Sequence, residues 1–288
     1  MKKNKKVNIN SSKSALLIGI GRWGETIAKI LLRNGYKLKY ATRNSNVNKD
    51  FENKIGSRLL SHFSQSQKDF FDLVVIAVRP NDFFAAWSIY KKFSNKFLIE
   101  KPGAINKFQI NEIFKEADNE KKSIFINYEY IYTGESLLLK EKLRGKEHLI
   151  EEISIIWEKE LHTKGGLEWR ILPHLIADLL LVSKNNIYIK ESQITSQRIK
   201  LKGNFKNSSL LIEFNDKKKS RYENKIKLSN NEVFIKERNK LILNDKIIYK
   251  EEILSVDNIV RLCEFAPKET FLINNNISKD ILDIMDAI

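Results

Sequence analysis

The sequence predicts an α/β protein with two domains: a parallel sheet covered by helices, followed by a mostly antiparallel sheet that is open on one face. Three observations predict it. An apolar run over residues 15–18 leads through a glycine-rich turn into a helical pattern of apolar residues. The continuous apolar runs 73–78 and 97–99 are typical of strands covered on both faces. From residue 149 onward, apolar and polar residues alternate, which is typical of half-exposed strands.

The glycine-rich turn has the sequence Gly19-Ile20-Gly21-Arg22-Trp23-Gly24 and stands between the first predicted strand and the first predicted helix. In this context Gly19 would allow a tight turn, Gly21 would let the backbone approach a pyrophosphate, and Gly24 would let the helix pack on the strand. The backbone amides of Arg22 and Trp23 would then face phosphate oxygens at the positive end of the helix dipole. The order of strand, turn and helix predicts a Rossmann dinucleotide-binding domain; the alternative is an ordinary glycine-rich turn.

The composition is that of a globular protein with a large excess of positive charge. The 288 residues suffice for two domains, and the formal net charge is +15, from 51 Lys and Arg against 36 Asp and Glu. The lysines are dispersed along the chain and we find no nucleic-acid-binding motif, so we predict no nucleic-acid partner. A basic surface can also attract acidic or phosphorylated ligands.

Cysteine content and hydropathy favour a cytoplasmic protein with no membrane partner. The single Cys263 excludes an intrachain disulfide, which favours a reducing compartment. No apolar run approaches the roughly 20 residues of a membrane span. Residues 1–12 are interpreted as a flexible basic tail. We predict no metal site, because metal-ligand spacing is lacking and three histidines are expected on the surface, namely His62, His148 and His162.

The end of the second predicted strand, residues 36–41, bears on the choice of cofactor. An acidic residue about 20 positions after the glycines usually binds the ribose hydroxyls of NAD, but here no acid occurs before Asp50. Thr42, Arg43 and Ser45 instead offer hydroxyls and a cation, which suit the 2′-phosphate of NADP. We therefore predict NADP(H) in preference to NAD(H); the alternative is a surface loop with an incidental arginine.

The next part of the first half contains one clear strand. Residues 47–68 show no clear pattern, but the apolar run 73–78 predicts a buried strand that ends at Arg79-Pro80. Asn81 or Asp82 is predicted to cap the helix that follows, because short polar side chains accept hydrogen bonds from the first helical amides.

A further predicted strand, residues 97–99, ends in Glu100-Lys101-Pro102, and a predicted helix over 106–117 and a strand over 124–128 follow. An apolar strand ending in Glu-Lys-Pro, downstream of an N-terminal Gly-x-Gly-x-x-Gly, resembles the glucose-fructose oxidoreductase/inositol dehydrogenase/MocA (Gfo/Idh/MocA) family. The resemblance covers the whole first half in the family's order and rough spacing. It implies a Rossmann NAD(P)-binding domain over residues 13–127.

The resemblance also implies roles for residues of the first half. Lys101 is expected near the nicotinamide and the substrate, where its ammonium could polarise a substrate oxygen during hydride transfer; the alternative is a surface lysine before a turn proline. At the carboxyl end of a parallel strand, this ammonium would face the crevice where ligands bind in open α/β sheets. The residues predicted to bind the cofactor are Gly19, Gly21, Arg22, Trp23, Gly24, Thr42, Arg43, Pro80, Glu100 and Lys101.

The second half, residues 128–288, is predicted to form a substrate and oligomerisation domain. It begins with an amphipathic helix over 134–143, and Lys217–Lys219 is interpreted as a solvated run at a hairpin turn. Two helices, at about 256–265 and 278–287, close the chain. The strands between them are predicted within residues 153–161, 199–201, 210–214, 225–228, 232–235, 240–243 and 246–249. This order matches the C-terminal domain of the same family, whose sheet often forms the subunit contact, so we expect a homo-oligomer.

Residues 165–179 predict a helix with Pro173 in its first turn. This segment resembles the family's stretch in which a histidine acts as acid/base beside an aspartate four residues earlier. The histidine corresponds to His174, but Arg170 occupies the aspartate position. Asp178 could supply the missing carboxylate, and Arg170 could bind an acidic substrate; alternatively, His174 and Asp178 form a structural pair and the chemistry is lost. The candidate substrate-binding residues are Arg170, Asp178 and Tyr128.

The leading hypothesis is therefore a cytosolic NADP(H)-preferring oxidoreductase acting on a sugar-like or other small carbonyl or hydroxyl compound. Lys101 would polarise the oxygen and His174 would act as acid/base. A second hypothesis is a catalytically degenerate nucleotide-binding or scaffold protein that keeps the fold. A third is a basic surface that binds nucleic acid or phosphorylated sugars, which a steep salt dependence of nucleic-acid affinity would favour.

Overall fold

The computed structural model describes residues 13–43, 48–57, 60–63, 69–161, 166–182, 187–250, 260, 263 and 268–288. The predicted basic tail, Ser45, His162 and most of the predicted helix 256–265 lie outside these residues. Within the described segments, we find no helix with the length and continuous apolar character that a bilayer crossing requires. In the same segments, no three His, Cys, Asp or Glu side chains are grouped so that they could hold a metal ion.

The first half forms a six-stranded parallel sheet, as predicted. Alternate residues of its central strand, such as Leu16 and Leu17, belong to separate apolar cores on the two faces, which explains why such strands are continuously apolar. The sheet has the order β3-β2-β1-β4-β5-β6, which opens a crevice between the carboxyl ends of β1 and β4. The strands are β1 (Ser14–Ile18), β2 (Lys37–Ala41), β3 (Leu60–His62), β4 (Leu73–Ile76), β5 (Lys96–Glu100) and β6 (Ser123–Asn127).

The α-helices that accompany this sheet in the described part of the chain are α1 (Arg22–Arg33), α2 (Asn48–Ile55), α3 (Phe83–Tyr90) and α4 (Lys107–Asn119). Asn106 caps α4, because its side-chain oxygen accepts a hydrogen bond from the Gln109 amide at 3.0 Å. The predicted cap of α3 is wrong for Asp82, whose carboxylate binds the Arg43 guanidinium at 2.7 Å and forms no capping hydrogen bond. Both α2 and β3 lie in the stretch where the sequence shows no clear pattern.

The second half forms an eight-stranded sheet with the order β14-β13-β12-β11-β7-β10-β9-β8. The mostly antiparallel arrangement is confirmed, with β7 and β10 as a parallel pair. The predicted hairpin at Lys217–Lys219 is wrong, because β7 lies between β10 and β11 and this connection passes its end. The strands are β7 (Ile150–Glu158), β8 (Ile187–Ile194), β9 (Arg198–Phe205), β10 (Ser208–Asn215), β11 (Arg221–Leu228), β12 (Val233–Glu237), β13 (Lys240–Leu243) and β14 (Lys246–Lys250).

Helices cover one face of this second sheet and leave the other face open. The covering helices are α5 (Gly134–Leu143), which has the predicted bounds, α6 (Leu167–Arg170) and α7 (Leu172–Val182). Side chains that point toward them, such as Ile153 and Ile155, are fully buried. On the open face, Arg198 and Lys200 both lie within 3.5 Å of Glu213, so this face is rich in ion pairs.

The last helix, α8 (Lys268–Asp286), returns to the first sheet. The buried side chain of Asn274 accepts a hydrogen bond from the Ile126 amide at 2.7 Å and donates one to the Ile126 carbonyl at 2.9 Å. It thereby satisfies the backbone of Ile126 at the outer edge of β6, beside which the described residues form no further strand. The end of the chain therefore packs on the first sheet and also on α7, while the predicted division at residues 127 and 128 stays a prediction.

Candidate functional site

The turn between β1 and α1 gives its three glycines different environments. A Cβ atom on Gly19, which has a φ of +91°, would lie 2.4 Å from the Ala77 carbonyl oxygen. A Cβ atom on Gly24 would lie 2.2 Å from the Gly19 carbonyl oxygen, so glycine here allows α1 to pack against the turn. A Cβ atom on Gly21 would meet nothing within 4 Å. Gly21 is thus not required for packing, and it borders open space at the N-terminus of α1.

Replacing Gly21 by alanine should therefore impair dinucleotide binding without destabilising the fold. The added methyl group would occupy the space where a pyrophosphate is expected, and overpacking of this kind costs about 1–3 kcal/mol, which corresponds to a loss of about 5- to 150-fold in affinity for NADPH. Gly24→Ala is the matched control, because its methyl group would clash inside the protein and should lower the free energy of unfolding by a similar amount. Tryptophan fluorescence and urea unfolding measure the two quantities. Unchanged NADPH affinity in Gly21→Ala would contradict the predicted role.

A cleft of about 310 Å³ lies at the carboxyl ends of β1, β4 and β5, and residues of the second domain form its other wall. It joins the glycine turn to the Glu100-Lys101-Pro102 segment and to the start of α7. The predicted site residues that line it are Arg22, Trp23, Pro80, Glu100, Lys101, Arg170 and His174. The fold therefore brings together residues from both halves of the chain. Thr42 and Arg43, at the end of β2, do not line this cleft.

Glu100 links the glycine turn to the end of β5. Its carboxylate accepts hydrogen bonds from the indole Nε1 of Trp23 and from the side-chain amide of Asn127. Burial raises the pKa of Glu100 above its usual range, although the hydrogen bonds and the charge of Lys101 oppose this shift. The carboxylate thus holds the Trp23 indole in the wall of the cleft.

Lys101 reaches from the first domain to the second. Its Nζ donates hydrogen bonds to the carbonyl oxygens of Trp169, at 3.1 Å, and Arg170, at 2.5 Å. One of its three ammonium hydrogens is left without a partner among the described residues. Burial lowers the pKa of Lys101, while the carboxylates of Glu100 and Glu129 raise it. The ammonium is therefore fixed in position with one donor left for a ligand.

His174 lies in the same cleft against two aromatic rings. Its ring centroid is 4.9 Å from that of Tyr130 and 5.9 Å from that of Trp157. Its Nδ1 atom is buried and forms no hydrogen bond with the described part of the protein. Burial, followed by the charges of Lys101 and Lys159, lowers the pKa of His174 well below its ordinary value. The imidazole is therefore neutral at neutral pH and can accept a proton.

The low pKa of His174 predicts a loss of stability in acid. Below pH 6.5 the unfolded chain protonates this histidine, whereas the folded chain keeps the ring neutral until a lower pH. The contribution of the neutral ring to the free energy of unfolding is therefore complete above pH 6.5 and decreases as the pH falls below it. Urea unfolding between pH 5 and pH 7.5 should show a smaller acid loss in His174→Asn than in the wild type. The same pH dependence in both proteins would contradict the shift.

Comparisons with known proteins agree with this architecture. A family model described as "NADP oxidoreductase coenzyme F420-dependent" matches residues 14–100, and no curated protein matches the chain by sequence. A Gfo/Idh/MocA family oxidoreductase from Vibrio cholerae has a TM-score of 0.72 at 10% identity, with 96% of this chain and 98% of the other covered. The chain has the Gfo/Idh/MocA fold.

Two further solved structures with this fold are informative. UDP-N-acetylglucosamine 3-dehydrogenase GnnA from Acidithiobacillus ferrooxidans has a TM-score of 0.73 at 11% identity, with 96% of each chain covered. GenD2 from gentamicin A biosynthesis, in complex with NAD, has a TM-score of 0.71 at 10% identity, with 100% of this chain and 97% of the other covered. At these identities the likeness concerns the fold.

The Gfo/Idh/MocA fold buries two of the predicted substrate ligands. Tyr128 is fully buried, and its hydroxyl donates to the Pro102 carbonyl oxygen at 3.4 Å. Asp178 is also fully buried, and its carboxylate accepts a hydrogen bond from Lys236 at 2.6 Å. The predictions that Tyr128 and Asp178 contact the substrate, and that Asp178 replaces the missing carboxylate beside His174, are therefore wrong.

Sequence analysis missed Glu129 and Lys159, which line the same cleft. Burial and the charge of Glu100 raise the pKa of Glu129, and the charge of Lys101 lowers it. Glu129 follows the end of β6 and Lys159 directly follows β7. The sequence could have indicated Glu129 as a site residue, because residues after the carboxyl ends of parallel strands face the ligand crevice in this kind of fold.

Proposed function

We propose that the protein is an NAD(P)-dependent oxidoreductase that transfers hydride between a nicotinamide and a hydroxyl- or carbonyl-bearing carbon of a sugar-like small molecule. The observation that carries the proposal is one cleft whose lining includes Arg22, which directly follows Gly21 in the glycine turn, together with Lys101 and His174. The similar structures support it, since one is a UDP-N-acetylglucosamine 3-dehydrogenase and another is in complex with NAD.

The residues at the glycine turn fit the diphosphate of such a cofactor. Gly21 leaves the space in front of α1 open, and the N-cap position of this helix supplies no side-chain hydrogen bond to its first amides. Arg22 adds a positive charge at the same helix end, which favours an anion there. When bound, the cofactor would donate or accept the hydride. The Trp23 indole, held by Glu100, would form part of its binding surface.

Lys101 and His174 would have different roles at the substrate oxygen. The remaining ammonium hydrogen of Lys101 can donate to this oxygen and stabilise the negative charge that develops on it. The neutral imidazole of His174 can accept the hydroxyl proton when the substrate is oxidised. Nε2 is the ring nitrogen available for this transfer, because Nδ1 is buried. In the direction of reduction, the imidazolium returns the same proton to the oxygen.

NADP(H) is proposed as the preferred cofactor because Arg43 presents a guanidinium at the end of β2. Arg43 pairs with Asp82, but its side chain is 74% exposed, and an exposed pair contributes only about 0–1 kcal/mol. A 2′-phosphate could therefore displace the carboxylate. Arg43→Ala should weaken NADPH binding about tenfold and leave NADH binding unchanged, as measured by fluorescence titration.

Asp82→Asn is the matched control for this prediction, because it removes the competing carboxylate and keeps the guanidinium. This variant should bind NADPH at least as tightly as the wild type. Equal losses for NADPH and NADH in Arg43→Ala, or a wild type that binds NADH more tightly, would contradict the proposed preference.

The overall proposal is tested by titration with NADPH and NADH, followed by turnover assays over a panel of sugars, sugar acids and sugar phosphates. Cofactor binding with turnover supports an oxidoreductase. A catalytically degenerate nucleotide-binding protein is the second candidate, because Arg170 stands at the aspartate position and no described carboxylate bonds to Nδ1 of His174. Binding without turnover of any panel member would favour it. Absence of binding at millimolar concentrations of both nucleotides would reject both candidates.

The open face of the second sheet is proposed as the contact of a homo-oligomer. Partly buried apolar side chains, including Ile156, Leu211, Ile235 and Ile242, lie there between charged ones. An interface would bury this mixed surface, as is common for contacts with a polar rim. Light scattering during size-exclusion chromatography measures the mass, and a monomer would contradict the proposal.

A further inference from the structure

Several positively charged side chains lie on or beside the wall that the second domain contributes to the cleft. Lys159 and Arg170 line this wall together with the rings of Tyr130 and Trp157. The Arg238 guanidinium lies over both rings, with its Cζ atom 6.0 Å from the centroid of Tyr130 and 5.9 Å from that of Trp157. The Nζ atom of Lys159 lies 5.9 Å from the Trp157 centroid. Two cations therefore share one aromatic surface, and a third lines the same cleft.

Lys159 and Arg238 form no ion pair with any residue in the described part of the chain. This contrasts with many basic residues elsewhere on the same sheet, which pair with carboxylates. Successive residues of a strand project to opposite faces, so the carboxylates that precede these two cations point to the open face. There they are already engaged, in the pairs Glu158–Lys217 and Glu237–Lys240.

The cations are close enough to affect one another. Burial lowers the pKa of Lys159, and the charges of Arg238, Arg22 and Arg170 add to this shift, while Glu129 opposes it. Like charges this close together in and beside the cleft raise the free energy of the ligand-free protein, and a bound anion would relieve this repulsion. A cofactor diphosphate at the N-terminus of α1 would neutralise Arg22 and leave Lys159 and Arg238 without a counter-ion among the described residues.

The same aromatic surface connects these cations to the reacting centre. The His174 ring lies against Tyr130 at 4.9 Å and against Trp157 at 5.9 Å, measured between ring centroids. Arg238 lies on the same two rings. An anion held by Lys159 and Arg238 would thus lie close to the imidazole that exchanges a proton with the substrate.

We propose that Lys159 and Arg238 form a subsite for a phosphate or carboxylate group that the substrate carries a few bonds away from the reacting carbon. Arg170, on the same wall, contributes positive charge to it. The inference rests on the proposed function for the identity of the reacting carbon, and it narrows the substrate class. Acidic sugars, such as sugar phosphates, sugar nucleotides or sugar acids, fit the subsite, and neutral sugars do not.

Isothermal titration of the full chain, with and without saturating NADPH, tests the subsite. The probes are inorganic phosphate, glucose 6-phosphate, UDP-glucose, glucuronate and glucose. At least one anionic sugar should bind about tenfold more tightly than glucose, and its affinity should fall about tenfold in Lys159→Gln and in Arg238→Gln. Comparison of the phosphate and carboxylate probes identifies which of the two groups the subsite takes.

Lys217→Gln and Lys240→Gln are the matched controls, because they remove cations of the same sheet that already pair with carboxylates on its open face. Both should bind the anionic probes with wild-type affinity. Equal affinity for glucose and every anionic probe would overturn the proposal, as would unchanged anion binding in both Lys159→Gln and Arg238→Gln. A loss of NADPH affinity that accompanies the loss of anion binding would assign these cations to the cofactor and overturn it too. If the wild-type protein binds the anionic probes but does not bind NADPH, this result would reject the proposed function and support the subsite.

Discussion

Replacing Lys101 by methionine should lower turnover about 10²–10³-fold and change NADPH affinity far less. Methionine keeps much of the apolar length of lysine but removes the ammonium that lines the cleft and donates to the carbonyl oxygens of Trp169 and Arg170. The loss should fall on turnover because the ammonium stabilises charge that develops on the substrate oxygen only as hydride transfers. Steady-state turnover of a substrate found in the panel, together with NADPH titration, measures the two effects.

Lys122 provides a matched control for this substitution. Its Nζ atom donates to the Ser94 carbonyl oxygen at 3.2 Å at the opposite, amino end of the same sheet, and its side chain is only 7% exposed. Lys122→Met should lower the free energy of unfolding by about 1–3 kcal/mol, as expected for an unsatisfied buried carbonyl, and leave turnover unchanged. Equal losses of turnover in the two variants would exclude a role for Lys101 at the substrate oxygen. So would a loss of NADPH affinity as large as the loss of turnover.

Replacing Lys236 by methionine should lower the free energy of unfolding by about 3–5 kcal/mol. Its Nζ atom donates to the Asp178 carboxylate at 2.6 Å and to the Ser136 hydroxyl at 2.9 Å, and both charged side chains are almost fully buried. Without Lys236, Asp178 must stay charged without a counter-ion or take up a proton. Burial already raises the pKa of Asp178, so proton uptake becomes easier in acid, and the destabilisation should be smaller at pH 5 than at pH 8. Urea unfolding at both pH values measures it.

The double variant Lys236→Met/Asp178→Leu tests whether the unpaired charge causes this loss. Removing both charges should restore part of the stability that Lys236→Met loses, because two apolar side chains can replace a buried pair at little cost. A double variant whose loss equals the sum of the two single losses would contradict this cause. The pair also matters for the site, since α7 carries both Asp178 and His174 and the pair attaches this helix to the sheet.

Most strands and helices were predictable because their patterns are local. Buried parallel strands are continuously apolar and half-exposed strands alternate, so both sheets could be recognised from residues within single elements. The sequence did not predict β3, because this strand has only three residues, Leu60–His62, and two of them are exposed at the edge of the sheet. Such a segment is too short to show a period, and it owes its conformation to pairing with β2.

The position of α8 in the fold could not be predicted from local sequence patterns. An amphipathic helix shows that one of its faces is buried, but the pattern does not show which surface covers that face. Asn274 pairs with the backbone of Ile126, 148 residues earlier in the chain. Only the folded chain brings this amide to the edge of β6, and for that reason the sequence did not predict that the last helix packs on the first sheet.

Some features of the candidate site could likewise be predicted from local sequence patterns, and others could not. The glycine turn and the position of Lys101 after β5 were predictable, because each depends on one strand and the residues that follow it. The burial of Tyr128 was not predictable, although Tyr128 is adjacent to Glu129 in the sequence. Glu129 lines the cleft while Tyr128 lies in the core, and a change of one residue at a strand end reverses the side on which a side chain lies.

By itself, the sequence determined most of the strands and helices in their order, and the backbone turn at which a dinucleotide is expected, because each depends on neighbouring residues of one segment. Only the tertiary structure decided the partners of the charged side chains. It pairs Asp178 with Lys236 and places Lys159 and Arg238 on one aromatic surface. In the part of the chain that the structure describes, it brings no carboxylate to Nδ1 of His174 and no counter-ion to Lys159 or Arg238. Strand and helix periods establish the face on which a side chain lies, whereas its partner depends on which distant segment packs against that face.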